Sequence, residues 1–167
     1  MRKKTYALAA VLVASVLFTS TSSAQTLHRS ERVEIRLSDE VIEACEKYGE
    51  EYSICPELLE AIIEAESGGN KYAKCGSCKG LMQISSKWHA DRMERLGVTD
   101  IYDVDGNIHL GADYLAELFD EYGDASYVLD IYNGNSKAED YYEQGILSDY
   151  ANKVLTLSEK LERLHGK

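Results

Sequence analysis

Glu66 is the residue of this sequence whose type and setting most invite chemistry. It lies near the end of the run Pro56-Glu57-Leu58-Leu59-Glu60-Ala61-Ile62-Ile63-Glu64-Ala65-Glu66-Ser67-Gly68-Gly69-Asn70. Pro56 suits a first helical position, where a missing N–H is no loss, and Gly68-Gly69 supplies a left-handed stop. At roughly 100° per residue, Leu58, Leu59, Ile62 and Ile63 share one stripe. Glu57, Glu60 and Glu64 gather on the opposite side, which reads as a solvated face. Glu66 does not join them; it points along the apolar stripe. A carboxylate aimed at a core is costly unless it is partnered, neutralised or used. Desolvation raises its pKa, so it can hold a proton near neutral pH as a general acid must. The alternative is structural: in a last helical turn the side chain swings to water or caps a neighbouring element.

The remaining reactive residues point less sharply. Cys45, Cys55, Cys75 and Cys78 are even in number, and in an exported chain they read as two disulfides. Three pairings are open. The favoured one joins Cys45 to Cys55, linking one helix end to the next helix start, and Cys75 to Cys78, pinning a tight loop. Cys75-Gly76-Ser77-Cys78 also has the spacing of a redox motif or half a zinc site. No βαβ pattern surrounds it, and no histidine stands at ligand spacing. Asp103 and Asp105 do not make a calcium loop, because taking Gly106 as the turn glycine puts Ile101 at the first ligand position. Capping and turn formation suit them better. His28, His89, His109 and His165 stand alone, so no metal and no cofactor is expected.

The elements that must position Glu66 are helices. Residues 1–24 read as a secretory signal: Arg2, Lys3 and Lys4, an apolar run from Tyr6 to Phe18, then Ser22-Ser23-Ala24. The apolar run is short for a membrane span, so no stable anchor is expected after cleavage. Residues 25–38 form a polar, extended lead-in, and residues 39–167 form one domain. A helix is expected from Asp39 to Tyr48, with Gly49 near its end, and the Glu66 helix follows. Ser85 or Ser86 caps another through Leu96, and Asn107 caps the best-patterned one, through Tyr122. Gly111 on its apolar stripe suggests close approach of another backbone. Asp124 opens a helix to Tyr132; a short one runs from Glu139 to Gln144, and the last from Asp149 to about Leu164. No long alternating strand appears, so the fold class is all-α, compact and single-domain.

The whole chain has 167 residues and a net charge of −11. Loss of the signal leaves 143 residues with 15 basic and 29 acidic side chains, a net charge of −14. Such acidity excludes nucleic acid as a partner, since phosphate neutralisation dominates that binding. It also disfavours anionic lipid.

Four segments in order then carry a resemblance: Glu66-Ser67-Gly68-Gly69-Asn70; Gly80-Leu81-Met82-Gln83-Ile84; Asn107-Ile108 through Gly111 to Tyr114-Leu115; and Tyr132-Asn133. Together they resemble the lytic transglycosylase domain of the soluble-transglycosylase and goose-type lysozyme group, from about Val41 to Tyr150. Two departures fall beside Tyr132. Ile131 stands where the family usually has alanine, and Gly134 follows Asn133 directly instead of one position later. Both bear on the shape of the cleft there.

The resemblance implies a lysozyme-like fold that cleaves peptidoglycan glycan strands between N-acetylmuramic acid and N-acetylglucosamine. Glu66 would protonate the glycosidic oxygen and then, as carboxylate, deprotonate the muramyl 6-hydroxyl to leave a 1,6-anhydro end. Tyr132 would hydrogen-bond Glu66; its bland alternative is a packed tyrosine at a helix end. Met82 and Gln83 would line the cleft, the Gln83 amide meeting substrate or else neighbouring main chain. Ser67 would orient Glu66 or only cap its helix, and Asn133 would be a ligand or a turn residue. The expected protein is an exported monomer, periplasmic or in the cell wall. A hydrolytic muramidase of the same fold and a catalytically silent glycan-binding scaffold are the alternatives.

Overall fold

The computed structural model describes residues 37–167, so the signal and most of the lead-in lie outside the described residues. Seven helices are present among them: α1 (Asp39–Tyr52), α2 (Pro56–Ser67), α3 (Ala90–Leu96), α4 (Val104–Tyr122), α5 (Ala125–Tyr132), α6 (Ala138–Gln144) and α7 (Asp149–His165). Between α2 and α3 lies a small antiparallel sheet of β1 (Lys74–Cys75), β2 (Cys78–Lys79) and β3 (Ile84–Ser85), in that spatial order. The fold is all-α with this one small sheet. No described helix is long and apolar enough to cross a membrane.

Helix α2 is the central rod. Pro56 opens it and Gly68, at φ 59°, closes it as the sequence suggests. Its main neighbours are α7 and α1, while α4 packs on α1 and α5, and α5 also meets α7. Leu59, Ala61, Ile62 and Ile63 are fully buried. Each such leucine or isoleucine contributes roughly 1.5–3 kcal/mol through apolar burial. The expected solvated face of α2 is not there. Glu57 is 0% and Glu60 3% exposed, because the end of α7 covers them. A wheel assigns faces from one helix alone and cannot see a second layer closing over the polar side.

Three boundaries differ from expectation for local reasons. Helix α1 passes through Gly49 to Tyr52 and is closed by Ser53, which takes a φ of 56°. A Cβ on Gly49 would lie 2.8 Å from the Ile54 carbonyl oxygen and 2.8 Å from Pro56 Cγ, so this glycine admits the returning chain. The helix expected from Ser85 begins only at Ala90, since Ser85 is paired with Cys78 in the sheet. Helix α4 starts before Asn107: Asp103 caps it, accepting from the Gly106 N–H at 2.8 Å. Asp124 caps α5 as expected, accepting from Ser126 and Tyr127.

The cysteines do not form the expected bridges; all four are thiols in the structure. Cys45 is 0% exposed within the core, whereas the Cys55 thiol turns outward and donates to Glu57 Oε2 at 3.0 Å. Cys75 and Cys78 stand directly opposite one another in β1 and β2. Backbone register, not a covalent link, closes that loop.

Candidate active site

Glu66 occupies the last turn of α2, half-buried, with its end covered from the far side of the chain. The Tyr150 hydroxyl, from the first turn of α7, donates to Glu66 Oε1 at 2.6 Å. Desolvation pushes the Glu66 pKa up; the Tyr150 hydrogen bond and the nearby Lys153 charge pull the other way without cancelling it. Burial likewise raises the Tyr150 hydroxyl well above its ordinary range, with the Glu66 charge and hydrogen bond adding to it. Tyr150 is therefore a donor, not a base. One carboxyl oxygen, Oε1, is held; among the described residues Oε2 has no hydrogen-bond partner.

Tyr132, expected to hold Glu66, has another partner. Its hydroxyl donates to the Met82 carbonyl oxygen at 2.8 Å, while Glu66 is near enough for its charge to raise the tyrosine pKa further beyond what burial does. The Tyr132 expectation came from the family resemblance; sequence spacing by itself assigns Glu66 no tyrosine partner. Nothing local shows that the Tyr150 ring ends at a carboxylate 84 residues away.

The Gly80–Ile84 segment is a tight turn between β2 and β3, pinned from below by Asn107. That side chain is 1% exposed. It accepts from the Met82 N–H at 2.8 Å and donates to the Ile101 carbonyl at 2.8 Å and the Lys79 carbonyl at 3.2 Å. Asn107 is thus a buried brace rather than a helix cap. Gly80 and Gly111 are what the close approach requires: a Cβ on Gly80 would collide with the Asn107 amide, and one on Gly111 with Met82 Sδ. The neighbour of Gly111 is therefore a side chain, not the backbone suggested by the sequence.

The other expected site residues sort out by burial. Met82 is fully buried against α4, so its side chain packs the core and does not line a cleft. Gln83 is half-buried, and its amide donates to the Gly80 carbonyl at 2.8 Å; the main-chain alternative is the one observed. Its φ of 49° is left-handed, a conformation costing about 1–2 kcal/mol in a non-glycine residue. Asn107 and Tyr132 grip Met82 immediately before it. Ser67 donates to the Ile63 carbonyl at 3.1 Å and so finishes the helix rather than touching Glu66. Asn133 is exposed at the end of α5, in the turn role.

The departures beside Tyr132 are absorbed locally. Gly134 takes the positive φ, 71°, that the turn requires. Asn135, in the position of the displaced glycine, donates from its amide to Asp130 Oδ1 at 3.0 Å and accepts from the Lys137 N–H at 3.0 Å. The turn after Tyr132 is thereby tied at both ends. Among the described residues no group of three histidine, cysteine or acidic side chains is arranged for a metal.

Comparison with known proteins bears on this arrangement. Residues 43–144 match the family described as the transglycosylase SLT domain. The chain belongs to that family. A transglycosylase of Enterobacteria phage PRD1 is 34% identical over 106 residues, covering 63% of this chain and 38% of that protein. The chain thus spans well under half the length of that curated relative. The X-ray structure of an inactive mutant of the lytic transglycosylase Slt from Pseudomonas aeruginosa shares the fold, with a TM-score of 0.65 and 17% identity, over 84% of this chain and 27% of that one. In this SLT domain the family match stops at residue 144, short of Tyr150. The hydroxyl on Glu66 therefore comes from outside the matched segment.

Proposed function

We propose that the chain is an exported peptidoglycan lytic transglycosylase with Glu66 as its acid and base. The observation behind this is the Glu66 carboxyl itself, half-buried, raised in pKa by desolvation, and held by one hydroxyl at 2.6 Å. The substrate is the β-1,4 bond from N-acetylmuramic acid to N-acetylglucosamine. Protonated Glu66 gives its proton to the bridging oxygen as the C1–O bond breaks. The resulting carboxylate takes the proton of the muramyl 6-hydroxyl, whose oxygen closes on C1. Glu66 ends protonated, as it began.

Support comes from the surroundings of that group. Tyr150 donates to Oε1 and leaves Oε2 for the sugar. The charged side chain that acts on the Glu66 pKa is Lys153. Glycosidases of the usual kind set two carboxyls across the bond; a residue working twice does not need the second. The phage relative is named a transglycosylase, and the structural neighbour is an inactive mutant of a lytic transglycosylase.

Mass spectrometry of fragments released from purified cell walls tests the reading. Anhydro-muramyl ends from the wild type, and their loss in Glu66→Gln, are expected. Reducing muramyl ends would make it a hydrolytic muramidase instead. Saturable wall binding with no products would make it a silent glycan binder.

A further inference from the structure

His89 stands alone in the sequence, but the fold sets it in a row of three rings. Its imidazole lies 4.6 Å from the Tyr114 ring, and Tyr114 lies 5.5 Å from Tyr132, centroid to centroid. All three are half-buried. Tyr132 is the end of the row next to Glu66, whose charge it feels. His89 takes the N-cap position of α3, yet its side chain bonds no N–H of that helix. Helix capping therefore does not occupy the ring.

Arg92, in the first turn of α3, holds the imidazole. Its Nε–H donates to His89 Nδ1 at 3.4 Å, a long bond, and its guanidinium carbon sits 5.2 Å from the Tyr114 centroid. The rest of the guanidinium engages α4: Nη1 donates to Asp113, and Nη2 donates to Glu117 at 2.7 Å. Asp113 is held in turn by Arg95 and by the Tyr52 hydroxyl of α1. Arg92 is only 9% exposed and tied from two sides, so the imidazole is oriented in advance of any ligand. A guanidinium N–H can only donate; Nδ1 therefore accepts, and the ring proton sits on Nε2. Burial and the Arg92 charge lower the His89 pKa against the opposing pull of Glu117, so the ring is neutral at pH 7. Nε2 has no hydrogen-bond partner among the described residues. The buried side-chain polar atom that lacks one is Ser85 Oγ, so Nε2 reaches solvent.

We infer that His89 is a substrate-contacting residue: its Nε2–H donates to a carbonyl or hydroxyl oxygen of an amino sugar lying along the Tyr114 and Tyr132 rings, and Arg92 is the positioning residue that keeps the proton on that nitrogen. The inference rests on the glycan-cleaving reading above and adds to it a residue that none of the four motif segments contains. The chemistry matches in type and in place. An acetamido sugar carries a carbonyl acceptor beside an apolar ring face, and the row presents one fixed donor beside tyrosine faces. His89 is two ring spacings from Tyr132, so it grips the strand away from the bond that Glu66 cleaves. Such a contact is made equally before and during bond breaking, which lowers KM and leaves kcat alone.

Nitrogen NMR of protein labelled at its histidine rings reads the tautomer, with His89→Gln assigning the signal. A neutral ring protonated on Nε2 is expected at pH 7; a proton on Nδ1, or a charged ring, would overturn the inference. Arg92→Lys keeps the charge but loses the fork, and the proton should spread to Nδ1; an unchanged spectrum would remove Arg92 from its role. Titrating Glu66→Gln with a tetramer of N-acetylglucosamine should shift the His89 Nε2 signal, and an unmoved signal or no binding counts against the contact. In turnover of purified cell walls, His89→Phe keeps a ring without a donor and should raise KM about tenfold, with kcat within about twofold. His89→Gln, whose amide places an N–H near the Nε2 position, should stay within about threefold of wild type. Equal behaviour of the two variants, or a loss in kcat alone, would make the ring merely structural. As pH falls, protonation turns Nδ1 from acceptor to donor against Arg92. Wild-type KM should therefore rise below the lowered His89 pKa, while that of His89→Gln stays level. Should His89→Phe not fold, the tautomer, the tetramer titration and this pH comparison decide. A His89 signal that moves with the tetramer in a chain releasing no wall fragments defeats the functional reading alone; fragments released with that signal unmoved defeat the contact alone.

Discussion

The two ends of α2 carry glutamates whose pKa values are moved in opposite directions, Glu57 fully buried and Glu66 half-buried. Glu57, in the first turn, is 0% exposed and is bonded by the Cys55 thiol, by His165 Nδ1 at 2.8 Å and by Lys167 Nζ at 2.7 Å. Burial alone would raise its pKa, but these partners outweigh burial and bring it to about 2. Glu66, in the last turn, has one tyrosine hydroxyl and a more distant lysine, and burial prevails. The helix reinforces the contrast, since its N-terminal end favours an anion and its C-terminal end disfavours one. Burial by itself does not make an acid catalyst. What makes one is burial with too few cations to hold the charge.

Glu66→Gln should have the largest effect and sharpen the contrast most. Cell-wall turnover should fall about 10³-fold, read as released muropeptides. Because the fold raises the Glu66 pKa, the native state loses stability as pH rises through that value. The variant should therefore melt a few degrees higher at pH 7, about what 1 kcal/mol gives in a chain of this size. A lower melting point would show that the carboxylate is not under strain.

Tyr150→Phe comes next, with an expected loss of about tenfold in kcat. The hydroxyl pulls the Glu66 pKa down, so its removal should shift the high-pH limb of the rate profile upward. Rescue of that limb is not expected from any change at Tyr132, whose bond goes to Met82.

At the other end, Glu57→Gln should cost about 2–3 kcal/mol in denaturant unfolding while turnover per folded molecule stays near wild type. The sign of its pH dependence is opposite to that of Glu66. Stability from Glu57 is complete above the ordinary carboxyl value of 4.5 and is lost as pH falls toward about 2. In Glu57→Gln this acid-induced decline should flatten. His165→Ala should be the mildest, under about 1 kcal/mol, because the imidazole is 40% exposed and Lys167 remains.

Much of this was legible in the chain. Pro56 and Gly68-Gly69 bounded α2 correctly, Asp124 capped α5, and the family match supports the resemblance carried by the ordered motifs. Other residues were misread for a common reason. Glu57 and Glu60 looked solvated and Asn107 looked like a cap, while the family resemblance, not the spacing, named Tyr132 as the partner of Glu66. Each is governed by a contact from a distant segment: α7 over Glu57, the Gly80–Ile84 turn over Asn107, and Tyr150 on Glu66. Helical periodicity describes one element against an averaged interior and is silent about which polar group arrives there.

The sequence alone determined the helical class, the central rod and the placement of one glutamate on its apolar side, because turn residues and the 3.6-residue period act locally. Only the tertiary structure decided how that glutamate is held and which carboxylates stay ionised. Those outcomes depend on pairs such as Tyr150 with Glu66 and His165 with Glu57, which are 84 and 108 residues apart and meet only after the chain has packed.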